Sequence, residues 1–329
     1  MHTFLTPDPI TIEIRNASGE IRLDLADVTT TTVEVTASSS HPFGFLDDVF
    51  RAVAGARQSN GARRGFDVRS ADDQDDFHRY GADQDDIDPA ERVLVDLRDT
   101  TDEGRGGTLI VDTDHARQGW RSSFAVHVTA PTGSGVRVQT QSADLILTGV
   151  ADRLETRTAS GDITVDRVLG RSVVQTASGD VTISETGDCD VRTASGDIGL
   201  HRTTGDALLH STSGDIRVDN PTGNTSARTV SGDIRLVDAA AGQAEAIAVS
   251  GDVEIGIHPG SLASVELNTI SGNTDTDFDV SDQAPDDDAP VLDIRVKTTS
   301  GNIRLRRAVG VCLTRPDSPA LTHRTWNTR

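Results

Sequence analysis

The fold is decided by a short unit whose clearest copy reads Val173-Val174-Gln175-Thr176-Ala177-Ser178-Gly179-Asp180-Val181-Thr182-Ile183. Its central tripeptide, Ser-Gly-Asp, begins at Ser160, Ser178, Ser195, Ser213, Ser231 and Ser250. Related tripeptides are Ser142-Ala143-Asp144, Ser271-Gly272-Asn273 and Ser300-Gly301-Asn302. From Ser142 to Ser250 the serines are spaced 18, 18, 17, 18, 18 and 19 residues apart. A fixed period of this length predicts stacked structural repeats.

Apolar and polar residues alternate after each glycine. Two positions after it stand Ile163, Val181, Ile198, Ile216, Ile234, Val253 and Ile303, and four positions after it stand Val165, Ile183, Leu200, Val218, Leu236, Ile255 and Leu305. Only Thr274 and Thr276 break these two columns, and the residue between them is mostly polar. This pattern predicts short strands with one buried side. We therefore expect an all-β fold, a parallel β-solenoid with 18-residue coils, in the form of a right-handed, flattened β-helix with two faces.

Composition agrees with a solenoid and excludes some partners. Aromatic residues make up only 3% of the chain, so the interior must be filled by smaller aliphatic side chains. The formal net charge of -21 argues against binding of nucleic acid or an anionic membrane through the acidic body. No stretch approaches the ~20 apolar residues that a membrane span requires.

The chain ends and the cysteines suggest no further chemistry. Residues 1–9 lack the basic and apolar regions of a secretory signal, so cytoplasmic residence is expected and a surface location would need a non-standard export route. Cys189 and Cys312 have neither metal-ligand spacing nor a disulfide-dense context, and we interpret them as buried or incidental thiols.

Changes in composition divide the chain into four parts. Residues 1–40 are expected to be an N-terminal β segment of the solenoid, and Ser18-Gly19-Glu20 places the first coil there. An insert at 41–90 is expected to hold a short amphipathic helix, then an acidic disordered linker. The solenoid itself is expected over 91–307, with an acidic loop at 275–293. A basic tail at 308–329 is expected to fold back on the acidic body.

The repeated aspartates are the sharpest chemical feature of the sequence. Stacking would bring six of them into one column at about the strand spacing of ~4.8 Å, namely Asp162, Asp180, Asp197, Asp215, Asp233 and Asp252. Like charges at that distance repel, so each carboxylate needs a compensating partner. We favour a structural role, in which each carboxylate accepts backbone N–H groups of its own turn, because Asn273 and Asn302 replace the acid in two copies. The alternative is a calcium ladder, and no other metal or cofactor is expected.

Catalytic motifs are absent from the sequence. The nearest approach to a polysaccharide-cleaving site is a set of charged residues predicted to face outward, namely Asp166, Arg167, His201, Arg202 and His210. They are scattered, and the sequence contains no H-E-x-x-H, G-x-S-x-G or phosphate-binding glycine motif. We therefore predict that the chain has no catalytic residues and is not an enzyme.

The unit at 173–183, with its echoes at 193–200 and 211–218, resembles the bacterial DUF4097 family. The lead-in at 124–131 is also similar. This is a β-strand-repeat group often labelled "putative adhesin", and the resemblance covers about 1–36 and 91–307. It implies the solenoid fold and carries no catalytic residues with it.

The predicted function is a non-enzymatic β-solenoid scaffold, or adhesin-like protein, that presents a surface for protein–protein interaction or self-association. Two alternatives stay open. One is a β-helical enzyme acting on polysaccharide, and the other is a polymerising bactofilin-like scaffold.

Overall fold

A computed structural model describes residues 1–39, 93–98, 106–113, 122–277 and 290–308. These residues contain 23 strands and no helix, and hence no helical segment of the length and apolarity that a bilayer span requires. The strands are β1 (His2–Leu5), β2 (Thr11–Ala26), β3 (Thr30–Ser39), β4 (Leu94–Arg98), β5 (Thr108–Asp112), β6 (Ser122–Pro131), β7 (Gly135–Ala151), β8 (Arg153–Ser160), β9 (Ile163–Val168), β10 (Ser172–Ser178), β11 (Val181–Thr186), β12 (Cys189–Ser195), β13 (Ile198–Thr203), β14 (Ala207–His210), β15 (Ile216–Pro221), β16 (Thr225–Ser231), β17 (Ile234–Ala239), β18 (Gly242–Ser250), β19 (Val253–Ile257), β20 (Leu262–Ser271), β21 (Thr274–Thr276), β22 (Val291–Ser300) and β23 (Ile303–Arg307). The predicted insert at 41–90, most of the predicted acidic loop and nearly all of the basic tail lie outside the described residues.

Parallel pairing stacks these strands into two faces, as the sequence predicts. The first face consists, in stacking order, of β8, β10, β12, β14, β16, β18, β22 and β20. The second face consists of β9, β11, β13, β15, β17, β19, β23 and β21. β7 runs through a corner and pairs with both β8 and β9. The predicted parallel β-solenoid is confirmed.

The core lies between the two faces and is made of aliphatic columns. On the second face, Ile163, Val181, Ile198, Ile216, Ile234, Val253 and Ile303 follow one another in register and are at most 1% exposed. Burial of one such side chain stabilises the fold by about 1.5–3 kcal/mol. The alternation in sequence therefore corresponds to an alternation between core and solvent.

Coil order departs from chain order at the C-terminal end. β22 lies between β18 and β20, and β23 lies between β19 and β21, so residues 262–276 form the last coil of the stack. This explains the two exceptions in the inward columns. Thr274 and Thr276 are exposed because no further described coil covers them.

The N-terminal end shows the same departure. β2 holds Ser18-Gly19-Glu20 in register with Ser142-Ala143-Asp144, so it is a coil of the stack and the first in chain order, but it is not the outermost one. β2 pairs with β7 on one side and with β5 and β6 on the other, so the β5–β6 segment lies further out. β3 then pairs antiparallel with β6, β1 with β3, and β4 with β5. Antiparallel strands therefore border the parallel stack at this end.

Candidate interaction surface

The repeated Asp and Asn residues form one continuous hydrogen-bonded column, which we call the corner ladder. In each step, the side-chain Oδ1 of one residue accepts the backbone N–H of its counterpart in the neighbouring coil at 2.8–3.0 Å. In stacking order the ladder consists of Asp144, Asp162, Asp180, Asp197, Asp215, Asp233, Asp252, Asn302 and Asn273. All six predicted aspartates are brought together here.

The ladder corrects the expected bonding of these carboxylates. Each acid caps a backbone N–H of the next coil instead of its own turn, because the turns stack in register and a backbone donor lies directly above each side chain. This bond offsets part of the repulsion between neighbouring carboxylates. Within the described ranges, no group of three or more His, Cys, Asp or Glu side chains is arranged to hold a metal ion.

Glycine is needed at this corner for two reasons. Gly179 has φ of +138°, a conformation that L side chains rarely adopt. A Cβ atom there would also collide with the carbonyl oxygen of Gly161 in the preceding coil. The glycines therefore allow both the turn and the close stacking on which the ladder depends.

A second, shorter ladder lies at the opposite corner. Asp188 accepts the backbone N–H of Asp206 at 3.0 Å, Asp206 accepts the side-chain amide of Asn224 at 3.0 Å, and Asn224 accepts the backbone N–H of Gln243 at 3.1 Å. The sequence shows these residues only as an irregular set, because acid and amide side chains alternate as acceptors along this corner.

Outward side chains of the first face are paired between coils. Arg137 contacts Glu13 at 3.0 Å and Glu155 at 3.1 Å, and Arg228 contacts Glu245 at 2.9 Å. The hydrogen bond from Arg228 lowers the pKa of Glu245, with a further contribution from Ser226. Exposed pairs of this kind contribute little to stability individually, but they fix the positions of the surface charges.

The second face carries a hydrogen-bonded group near the N-terminal end of the stack. Asp24 contacts the Thr148 hydroxyl and, at 2.6 Å, the ring of His127. The Thr148 hydrogen bond is the main cause of a lowered pKa for Asp24, and His127 adds to it. Strands β2, β6 and β7 supply the three residues, so the group depends on the inserted position of β2.

The five residues considered for polysaccharide cleavage do not converge. Asp166, Arg167, His201 and Arg202 belong to the second face, whereas His210 belongs to the first. Two of them contact a carboxylate on the neighbouring coil: Arg167 contacts Glu185 at 2.9 Å, and His201 contacts Asp219 at 3.0 Å.

His210 differs from His201 in its surroundings. Burial is the main cause of its lowered pKa, and the nearby Arg228 and Arg192 guanidiniums lower it further. Its imidazole is therefore held in the neutral form to lower pH than usual. The register places it in an outward column between Arg192 and Arg228.

Cys189 lies inside the coil and is 4% exposed. Burial is the largest cause of a pKa raised to about 12, and the adjacent Asp190 contributes. A thiol in this state is not a nucleophile at neutral pH. Cys312 lies outside the described residues.

The second face carries a basic depression that the sequence does not predict. We call it the arginine groove; it has a volume of about 520 Å³ and is lined by the side chains of Arg217, Arg235, Arg304, Arg306 and Arg307 around Glu254. Three of these arginines share the position three residues after a repeat glycine, which is the signal the sequence offers. Their proximity depends on the changed coil order, which places Arg304 beside Glu254.

The chain is similar in part to known proteins. A family model described as Toastrack DUF4097 matches residues 92–306. A solved structure from Bacteroides fragilis, described as a "putative adhesin", aligns with 10% identity and a TM-score of 0.41 over 92% of this chain and 95% of that one. A second, from Clostridium sporogenes, is described as a "putative cell adhesion protein" and aligns with 6% identity and a TM-score of 0.22 over 93% and 98%.

No curated protein matches the chain. The family match, however, extends over most of the sequence and over the whole repeat region from Ser142 to Ser300. The chain therefore belongs to the Toastrack DUF4097 family.

Proposed function

We propose that this protein is a non-enzymatic, adhesin-like β-solenoid scaffold that presents an outward face to a protein partner. One observation carries the proposal. Because the coils stack in register, outward side chains form continuous columns, as in Arg157, Gln175, Arg192, His210 and Arg228 on the first face. Such a surface is ordered and repetitive.

The dimensions of the first face fit this role. Eight strands at ~4.8 Å spacing and about six residues at ~3.3 Å give an area of roughly 34 by 20 Å. A stable protein–protein interface covers about 800 Å² per partner. One face therefore provides most of the area that a specific complex needs.

Affinity purification of the tagged chain from its native host tests the proposal. We expect a specific protein to be retained at a constant ratio to the tagged chain. A strictly monomeric chain that retains no protein would remove the support for a scaffold. Cytoplasmic residence is part of the proposal, and fractionation of the host cells tests that part separately.

The enzymatic alternative is less well supported by the geometry. A glycosidase uses two carboxyl groups that flank one bond, whereas His201 and Asp219 pair with each other on one face and His210 lies on the other. Screening the purified chain against acidic glycans tests this alternative. Turnover of any of them would contradict the scaffold proposal.

Self-association is the second candidate, and the last coil favours it. Among the described strands, β20 pairs with β22 only, and Leu262, Val265 and Ile270 on it are 41%, 42% and 80% exposed. An open strand edge with exposed apolar side chains can pair with a second copy of the chain. Sedimentation and electron microscopy would detect dimers or filaments. Val265→Lys should abolish them, whereas Val173→Lys, on β10 and paired on both sides, should not.

A further inference from the structure

The arginine groove concentrates positive charge on a chain of net charge -21. Glu254 contacts both Arg235 and Arg306 at 3.2 Å, and Arg217 contacts Asp219 at 2.7 Å. Arg304 and Arg307 are exposed and have no ion pair with any described residue, although Asp275 is in register with Arg304. Five guanidiniums thus line the groove around Glu254.

The sheet loses its regular register beside the groove. Pairing between β17 and β19 shifts between Leu236 and Ala239. Gly256 is buried there, and a side chain at its position would collide with the carbonyl oxygen of Val237. Leu236, Val237, Gly256 and Ala308 complete the lining between the arginines.

We propose that the arginine groove binds a short Asp- and Glu-rich segment of a partner protein. This proposal rests on the proposed function. It identifies the surface of this chain that contacts the partner and the chemistry that the partner presents to it. A guanidinium matches a carboxylate through two parallel N–H···O hydrogen bonds, which makes arginine well suited to this contact.

Three features favour an acidic peptide over other polyanions. No aromatic side chain lines the groove in the described part of the chain, so nucleobases and sugar rings find no aromatic stacking surface there. Arg217 and Arg304 are three strand spacings apart, or ~14 Å, which is the length of about four residues of extended chain. The backbone beneath already pairs within the sheet, so recognition takes place through side chains and not through strand addition.

Fluorescence anisotropy of a labelled peptide made only of Asp and Glu residues, titrated with the full chain at low ionic strength, tests the proposal. We expect saturable binding that weakens as salt is added. Arg304→Gln together with Arg307→Gln should weaken it by about tenfold or more, because charge-assisted hydrogen bonds are lost. Neither arginine has a described ion pair to lose, so the fold should be unaffected.

A control variant separates the groove from the overall charge. Arg153→Gln together with Arg171→Gln removes the same two charges from exposed positions on coils outside the groove and should change the affinity by less than about twofold. Equal weakening by both double variants would overturn the proposal. So would the absence of peptide binding. A polyuronate oligosaccharide or an oligonucleotide of equal charge that bound more tightly than the peptide would overturn the assignment to a peptide.

The same variants distinguish this proposal from the proposed function. If the host protein retained by the wild type is also retained by the Arg304→Gln, Arg307→Gln variant, the groove is not the binding surface, and the scaffold proposal stands. If no chain retains any protein, the scaffold proposal fails as well. Loss of the partner from this variant alone, together with loss of the peptide, supports both.

Discussion

The carboxylate of Asp180 accepts the backbone N–H of Asp197, one coil further along the stack, at 2.9 Å. The carboxylate of Asp162 accepts the N–H of Asp180 in the same way at 3.0 Å. Each repeat aspartate is thus donor and acceptor in one continuous column. The repeated aspartates resemble a ligand site in the sequence, but in the structure they link neighbouring coils.

Substitution in the corner ladder should depend on the oxygen and not on the charge. Asp180→Ala removes the acceptor for Asp197 and should lower the free energy of unfolding by about 0.5–1.5 kcal/mol. Asp180→Asn keeps an acceptor, as Asn302 does naturally, and should cost much less. Urea unfolding followed by circular dichroism measures both. An equal loss in the two variants would indicate that the negative charge itself is required.

Calcium provides an independent check of the same column. If the aspartates act as coil-to-coil acceptors, neither calcium nor a chelator should shift the melting temperature by more than about 1 °C, because a ligand stabilises only by binding the folded state. Differential scanning calorimetry in both conditions measures this. A stabilisation that grows with calcium concentration and disappears in Asp180→Asn would support the calcium alternative.

The loss of stability on substituting a glycine should depend on two separate effects, backbone strain and collision of the new Cβ with the neighbouring coil. Gly196 has φ of +146° and its Cβ would collide with the carbonyl oxygen of Gly179, whereas Gly260 has φ of +94° and open space around it. Gly260→Ala should therefore lower the free energy of unfolding only by the cost of strained backbone, about 1–3 kcal/mol, and Gly196→Ala should lower it by more.

Gly199 provides the matched control for these two variants. A Cβ there would have no neighbour closer than 3.8 Å, and its φ lies outside the positive region. Gly199→Ala should be neutral or slightly stabilising, since it restricts the unfolded chain. Thermal unfolding of the three variants ranks their losses of stability. Equal melting temperatures for Gly196→Ala and Gly260→Ala would show that close stacking of the coils adds nothing.

The sequence was sufficient to predict the two faces and the core. Inward residues such as Val181 and Ile198 occur at fixed distances from a glycine, and each contributes to a column that the structure confirms. This succeeded because strand direction and burial are local properties, encoded in the alternation within a single coil. The same local pattern also indicated that glycine would occupy the corners.

The order of the coils was not predictable in the same way. Any coil presents similar edges to its neighbours, so alternation does not determine whether 262–276 or 290–307 is placed next to β18. Polar Thr274 and Thr276 at inward positions were the available clue, because only an uncovered coil tolerates them. The arginine groove was missed for the same reason, since Arg304 meets Glu254 only in the rearranged order.

Cys189 should be unreactive in the folded chain. Its pKa is raised to about 12 by burial, so the thiolate fraction is negligible near neutral pH. In a Cys312→Ser background, an aromatic disulfide reagent at about pH 8 should release no chromophore until denaturant is added. Rapid reaction in the folded state would mean that the coil opens at this position.

Glu245 should make stability sensitive to acid. Its pKa is lowered from the ordinary 4.5, first by the hydrogen bond from Arg228, so below pH 4.5 the unfolded chain takes up a proton that the folded chain still excludes. The stabilising contribution of Glu245 is therefore fully present above that pH and is lost as the pH falls through the lowered pKa of the folded state.

Glu245→Gln removes the titrating group. We expect its melting temperature to fall less steeply than that of the wild type in this acidic range, while the two curves run parallel near neutrality. Glu266→Gln, on the exposed last strand, provides the control because its carboxylate lies 3.8 Å from Arg295, at the limit of an ion pair. If Glu245→Gln and Glu266→Gln flattened the acid limb equally, the contact with Arg228 would not be the cause.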